Sequence, residues 1–202
     1  MQPHRELARE LAQNLKGDVR FDDQTRALYN TDASIYQMEP VGVLFPRDAE
    51  DVSDAVRLAG QYGVPLLPRG GGTSLAGQGT NNALVMDFSR YMNQLHEVNP
   101  EEQWARVQPG IVLDELNHRI RDTGLFFTPD PATSNRSNVG GAIGNNSCGA
   151  HSILYGKTVD QVKEVETVLS NGDVALLGPL TSSELEAKLR GDGLVGQIYR
   201  QV

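Results

Sequence analysis

Leu7, Leu11 and Leu15 recur at four-residue spacing through Arg5–Lys16, the rhythm of one helix face, and Gly17 stands where such a helix would stop. Val41–Phe45 is an unbroken apolar run closed by Pro46 and reads as a buried strand. From Asp48 to Tyr62, Val52, Ala55, Val56 and Ala59 line one helical face that Gly63 ends, and Val64–Leu67 is a second apolar run. Strand, helix and strand in such close succession predict a βαβ unit with its two strands parallel. Ala83–Phe88 reads as a further strand. Leu95–Val98 and Gln103–Gln108 flank Asn99-Pro100-Glu101-Glu102 as a hairpin. A helix with Leu113, Leu116 and Ile120 on one face ends near Gly124. Val159–Leu169 then alternates in the manner of a strand, and Asn171-Gly172 turns it into Asp173–Leu177. Thr181-Ser182-Ser183-Glu184 is a capping box for a helix through Arg190, and Leu194, Val195, Ile198, Tyr199 and Val202 continue at helical spacing. Residues 21–40 show no clear rhythm. The order predicts an α+β fold of two lobes, about 1–98 and 99–202, with the βαβ unit in the first and mainly antiparallel sheet in the second, larger one.

That last apolar stripe meets no capping residue before the chain stops. It predicts a segment cut from a longer protein, with a face left partly uncovered where a second copy would form a dimer.

Ten of the 21 glycines fall in two short windows, Gly70–Gly79 and Gly140–Gly156. Glycines packed together mark backbone that must approach something closely. The first window follows a strand and runs Pro68-Arg69-Gly70-Gly71-Gly72-Thr73-Ser74-Leu75-Ala76-Gly77-Gln78. Successive N–H groups there form a concavity suited to an anion, with Thr73 and Ser74 adding hydroxyls. It contains no lysine, so it is not the phosphate loop of a nucleoside triphosphatase, and its glycine spacing misses the Rossmann fingerprint. The second window is entered through Thr128-Pro129-Asp130-Pro131. A long ligand held between two lobes would need two such stretches, one in each.

Composition narrows the class further. Lys+Arg 18 against Asp+Glu 26 gives a net charge of −8, which argues against a nucleic-acid partner. No apolar run approaches the ~18 residues of a transmembrane segment. The opening residues are too polar for a secretory signal, and the single cysteine leaves no disulfide framework, so a cytoplasmic location is expected.

The ordered stretches PRGGGTSLAGQ, PDPAT…NVGGAIGNNSCGAHSILYG and VETVLSNGD resemble the FAD-binding domain of the p-cresol methylhydroxylase / vanillyl-alcohol oxidase (PCMH-type) superfamily. Within it the D-lactate/glycolate dehydrogenase branch is the most similar. YNTDASIYQMEPVGVLFPRD resembles the subset whose long chains end in iron–sulfur modules. The resemblance spans residues 20–200. It implies a PCMH-type FAD-binding fold and non-covalent FAD in a flavin-dependent oxidoreductase acting on a small 2-hydroxyacid of the D-lactate, glycolate or 2-hydroxyglutarate type. An iron–sulfur cluster is implied only for a part of the protein beyond this chain. Pro68, Arg69, Gly70, Gly71, Gly72, Thr73, Ser74 and Gly77 would wrap the pyrophosphate. Pro129, Asp130 and Thr133 would lie beside the cofactor. Asn138, Val139, Gly140 and Gly141, then Gly144, Asn145, Ser147 and Gly149, would run along the ribityl chain and flavin, with Thr167 on the strand that meets the adenine. The family's catalytic base and metal-binding histidines come from other segments, so no catalytic residue and no metal site is assigned here. Two alternatives share the loop pattern: a module that holds FAD or a dinucleotide without turnover, and a flavoenzyme like the UDP-sugar enolpyruvyl reductases.

Single residues carry less. The family's covalent flavins use a histidine in the first loop, which this loop lacks, and Cys148 reads as a small buried thiol. His151 stands beside the second window either as a flavin neighbour or as packing. Arg69 and Arg136 are read either as counter-charges for phosphate or as solvated charges. His4, His96 and His118 form no ligand pattern.

Overall fold

The computed structural model describes residues 2–202. Its first half is built on a four-stranded sheet of β1 (Asp18–Arg20), β2 (Gly42–Phe45), β3 (Leu66–Arg69) and β4 (Leu84–Asp87), in the order β1-β2-β4-β3. β2 and β3 both pair parallel with β4, and β1 closes the edge antiparallel to β2. The expected βαβ unit is thus present, with β4 inserted between its two parallel strands.

Helices α1 (Gln2–Asn14) and α3 (Ala49–Gln61) cover one face of this sheet. Leu7 and Leu11 of α1 and Ala55 and Ala59 of α3 are fully buried against Leu44 and Leu84. β1 lies just before the unassigned stretch, which itself supplies a short helix, α2 (Asp23–Leu28), capped by the Asp22 carboxylate on the Thr25 N–H at 2.8 Å. α2 leads into Tyr29, which packs with Val43, Phe45 and Val85 on the opposite face.

α1 begins before the Arg5 expected from the rhythm, takes in His4, and ends before Gly17. The reason for that glycine is therefore contact and not helix termination: a Cβ there would collide with the Phe45 carbonyl.

The second half has its own core. The hairpin β5 (Leu95–Asn99) and β6 (Trp104–Val107) packs with α4 (Leu113–Ile120), a 3-10 turn (Arg121–Thr123) and α5 (Val139–Asn145). Ile111, Leu113, Leu116, Ile120, Val139 and Ala142 are buried together. Gly124 adopts φ 74° and caps the 3-10 turn that follows α4. Two four-residue helices follow, α6 (Ser152–Tyr155) and α7 (Thr158–Gln161), then the ribbon β7 (Val165–Val168) and β8 (Val174–Leu177), and finally α8 (Ser182–Arg190) and α9 (Leu194–Gln201). Antiparallel pairing is present as two separate two-stranded ribbons.

The strand expected over Val159–Leu169 is only half there. Ser147 O accepts both the N–H and the hydroxyl of Thr158, and Asp160 accepts the Lys157 N–H, so the chain coils into α7 before β7 begins. The Asn171-Gly172 turn docks on the first half, where Gly172 O accepts hydrogen bonds from the Ser53 hydroxyl and from Arg57 at 3.1 Å. The capping box at Thr181 and Glu184 forms as read. Among the described residues no helix is long and apolar enough to cross a membrane, and no group of three His, Cys, Asp or Glu side chains is placed to hold a metal.

Candidate functional site

β3 delivers Gly70, Gly71 and Gly72 past the carboxyl end of the parallel strands, the edge where open α/β sheets hold ligands. The stretch leading into the second window, Thr133–Asn138, reaches the same place. Gly71, Gly72 and Thr73 line a cavity of about 310 Å³ together with Ala132, Thr133 and Arg136. Ala33 and Leu75 complete its wall.

The two stretches touch with only the Asn138 side chain between them at Gly70, and with backbone against Gly71. A Cβ on Gly71 would collide with the Arg136 carbonyl, and one on Gly70 would lie 2.5 Å from Asn138 Oδ1. Gly72 has φ 62°, a left-handed conformation that L residues rarely adopt. Below the glycines the Ser137 hydroxyl bonds Thr133 at 2.6 Å and Thr73 at 3.2 Å, so three hydroxyls form one chain across both windows. Asn138 is 2% exposed and donates to Gly110 O at 2.5 Å, while its Oδ1 has no hydrogen-bond partner. A buried carbonyl oxygen left unpaired costs about 1–3 kcal/mol.

Asp32 locks this end of the first loop. Its carboxylate accepts the Ser34 N–H at 2.8 Å and the Gly79 N–H at 2.9 Å. Burial pushes that carboxyl up, but the hydrogen bonds from Ser34 and Gly79, with the Arg69 charge, outweigh it and hold the group below its ordinary value. Arg69 itself donates to Gly79 O at 2.6 Å and Thr31 O at 2.8 Å, with its guanidinium 5.1 Å from the Tyr29 ring. Its side chain holds the loop against residues 29–31 and does not line the cavity. Ala33 and Asp32 come from the stretch the apolar rhythm left unassigned. The one sequence signal there was the resemblance of YNTDASIYQMEP.

Other expected site residues stand farther from the cavity wall. Ser74 turns its hydroxyl to Gln78, and Gly77 lies under the Tyr36 ring. Gly140 packs on Pro109 and Val139 is buried in the second core, whereas Gly141 and Gly144 have open space where a Cβ would be. Asn145 returns its amide to Gly141 O, and Ser147 O is occupied by Thr158. Thr167 pairs with Ala175 in the β7–β8 ribbon.

Asp130, just after the buried Pro129, anchors the next turn. It accepts the His151 N–H at 3.2 Å and meets His151 Nδ1 at 2.5 Å, and Gly149 packs against it with no room for a Cβ. Those hydrogen bonds hold the Asp130 carboxyl below its ordinary value. Cys148, read as a buried thiol, is exposed, because its neighbours in the turn, not its own side chain, make the packing contacts. Ile153, Leu154 and Phe126 are exposed apolar residues beyond this turn, with Phe126 and Tyr155 in edge-to-face contact.

Residues 40–178 match the family described as FAD binding domain. The chain is 43% identical over 188 residues to D-2-hydroxyglutarate dehydrogenase of Pseudomonas putida, covering 92% of this chain and 19% of that protein. It is 41% identical over 193 residues to D-2-hydroxyglutarate dehydrogenase of Escherichia coli, covering 94% and 19%. Glycolate oxidase subunit GlcD of Bacillus subtilis is 37% identical over 169 residues, covering 81% and 36%. The chain therefore spans about a fifth of the length of the dehydrogenases it matches. Among solved structures, alkyldihydroxyacetonephosphate synthase superposes with a TM-score of 0.76 at 26% identity, over 87% of this chain and 38% of that one. p-Cresol methylhydroxylase with substrate bound superposes at 0.77 and 19% identity, over 87% and 35%, a likeness of fold.

Proposed function

Because this chain belongs to the FAD binding domain family and has the PCMH-type fold, we propose that it is the flavin-holding part of a 2-hydroxyacid dehydrogenase, with D-2-hydroxyglutarate the first substrate to try. The observation that carries the reading is that the first glycine window and the Ala132–Arg136 stretch leading into the second line one cavity. The residues present fit the cofactor: three glycines leave a cradle that side chains would fill, and the buried Asn138 Oδ1 awaits a donor. In this reading Gly70–Thr73 offer backbone N–H groups to the pyrophosphate, and the Thr73–Ser137–Thr133 hydroxyl chain supports them from below. Asn138 holds the second window at its distance through Gly110. Asp130 positions the Gly149–His151 turn. Bound flavin supplies the two-electron acceptor for oxidation of the substrate α-carbon.

The two cores support a division into lobes near residue 98, with the β7–β8 turn reaching back across it. The cytoplasmic expectation rests on the single cysteine, which leaves no disulfide framework. Dimerisation would use the part of the Leu194, Ile198 and Tyr199 stripe that is only half-buried, and sedimentation at micromolar concentration tests it.

Titration of the 202-residue chain with FAD, followed by flavin fluorescence, should show saturable binding. Dye reduction with D-2-hydroxyglutarate should be absent in this chain and present in a version extended to the length of the relatives. Comparable rates from both would show that these residues already hold a complete active site, and no FAD binding at all would sink the reading.

A further inference from the structure

Two arginines stand near the glycine cavity, and the structure treats them differently. The Arg69 guanidinium is spent on backbone carbonyls and on the Tyr29 ring. Arg136 is the one charged side chain lining the cavity, and among the described residues it makes no ion pair. Its only side-chain hydrogen bond runs to its neighbour Asn135, at 2.8 Å, on the exposed side. Arg69 also lacks a carboxylate partner, but backbone carbonyls take up its guanidinium, whereas the only side-chain hydrogen bond of Arg136 is to the adjacent Asn135. Its backbone is fixed as well: the Arg136 carbonyl lies against Gly71, and its N–H is held by Thr133 O at 2.9 Å. The guanidinium is thus tethered at the cavity that Gly71, Gly72 and Thr73 also line.

We propose that Arg136 is the counter-charge for the phosphate groups of the ligand in this cavity, so that it selects a diphosphate-bearing cofactor over its unphosphorylated form. The inference rests on the FAD reading above and sharpens it. Backbone N–H groups supply partial charges only, and a diphosphate brings two full negative charges into an acidic protein. A guanidinium answers that with parallel donors in fixed geometry. Arg69 leaves the ligand uncontacted and serves the loop wall.

The test compares FAD, riboflavin and ADP on the wild type, Arg136→Gln and Arg136→Lys, by flavin quenching and calorimetry across a salt series. Arg136→Gln should weaken FAD and ADP about tenfold or more and flatten their salt dependence, leaving riboflavin unchanged. Arg136→Lys should keep the salt dependence and recover part of the affinity. The side chain is exposed, so both variants should keep the wild-type melt and circular dichroism. FAD affinity within twofold of wild type in Arg136→Gln, or an equal loss for riboflavin, overturns the assignment. A wild type that binds ADP through Arg136 but binds no flavin keeps the phosphate role and overturns the flavin reading. A wild type that binds neither overturns both.

Discussion

Gly72 and Gly71 are constrained for different reasons. At Gly72 the backbone is left-handed and a Cβ would lie 2.6 Å from Arg69 Nη2, whereas at Gly71 the obstacle is the Arg136 carbonyl. Gly72→Val should abolish FAD binding while leaving far-UV circular dichroism nearly unchanged, and Gly71→Ala should weaken binding by pushing the two windows apart. Normal flavin affinity in both would remove the loop from the site. Asp130 makes a prediction about acid. Its carboxyl is held below the ordinary value of 3.8, first by the His151 side chain and then by the His151 N–H. A depressed carboxylate stabilises the fold above the unfolded value, and that contribution is lost as pH falls through the folded one. Melting temperature should therefore fall less steeply below about pH 4 in Asp130→Asn than in the wild type. Identical acid limbs would show that the pair contributes nothing to folding.

At the scale of elements, the turn into α3 shows how one buried side chain joins three segments. Asp51, 1% exposed, accepts the Lys16 N–H at 2.8 Å and the Arg47 N–H at 2.9 Å, so it ties the end of α1 to the end of β2. Asp51→Leu would leave both N–H groups unpaired and should cost about 3 kcal/mol in urea unfolding. Asp48 is the N-cap, accepting the Asp51 N–H at 3.0 Å, and Asp48→Ala should cost about 1 kcal/mol. An equal cost for the two would mean that the interior bonds add nothing beyond the cap. α3 itself was legible from its apolar stripe and its Asp48 start. α7 was not, because Thr158 and Asp160 coil there only through bonds to Ser147 and Lys157. Alternation over Val159–Leu169 carries no trace of those partners.

Over the whole molecule, the two cores are joined where Gly70 and Gly71 meet Arg136 and Asn138, and by the β7–β8 turn seated on α3. A ligand across the first junction should stabilise both halves by mass action, so FAD should raise the melting temperature in proportion to the logarithm of its excess. The first loop carries no histidine of the kind the family uses to link its flavin, so acid precipitation should leave the flavin in the supernatant. Yellow colour retained on the denatured chain would contradict this.

The chain's own pattern was enough to place β2, α3, β4, the β5–β6 hairpin and α8, because each depends on local periodicity or on a cap a few residues away. It was enough, too, to mark the first glycine window, where Gly70, Gly71, Gly72, Gly77 and Gly79 each have neighbours that a Cβ would crowd, and part of the second, where Gly140, Gly149 and Gly156 do and Gly141 and Gly144 do not. Periodicity had no hold on β1 and α2, which are short and fixed by pairing with β2 and packing under Tyr29. Only the tertiary structure decided that the Arg69 guanidinium is bonded to the carbonyls of Thr31 and Gly79 while Arg136 lines the cavity. Both are arginines beside a glycine window, and what separates them is which carbonyls and which charges the folded chain brings within reach.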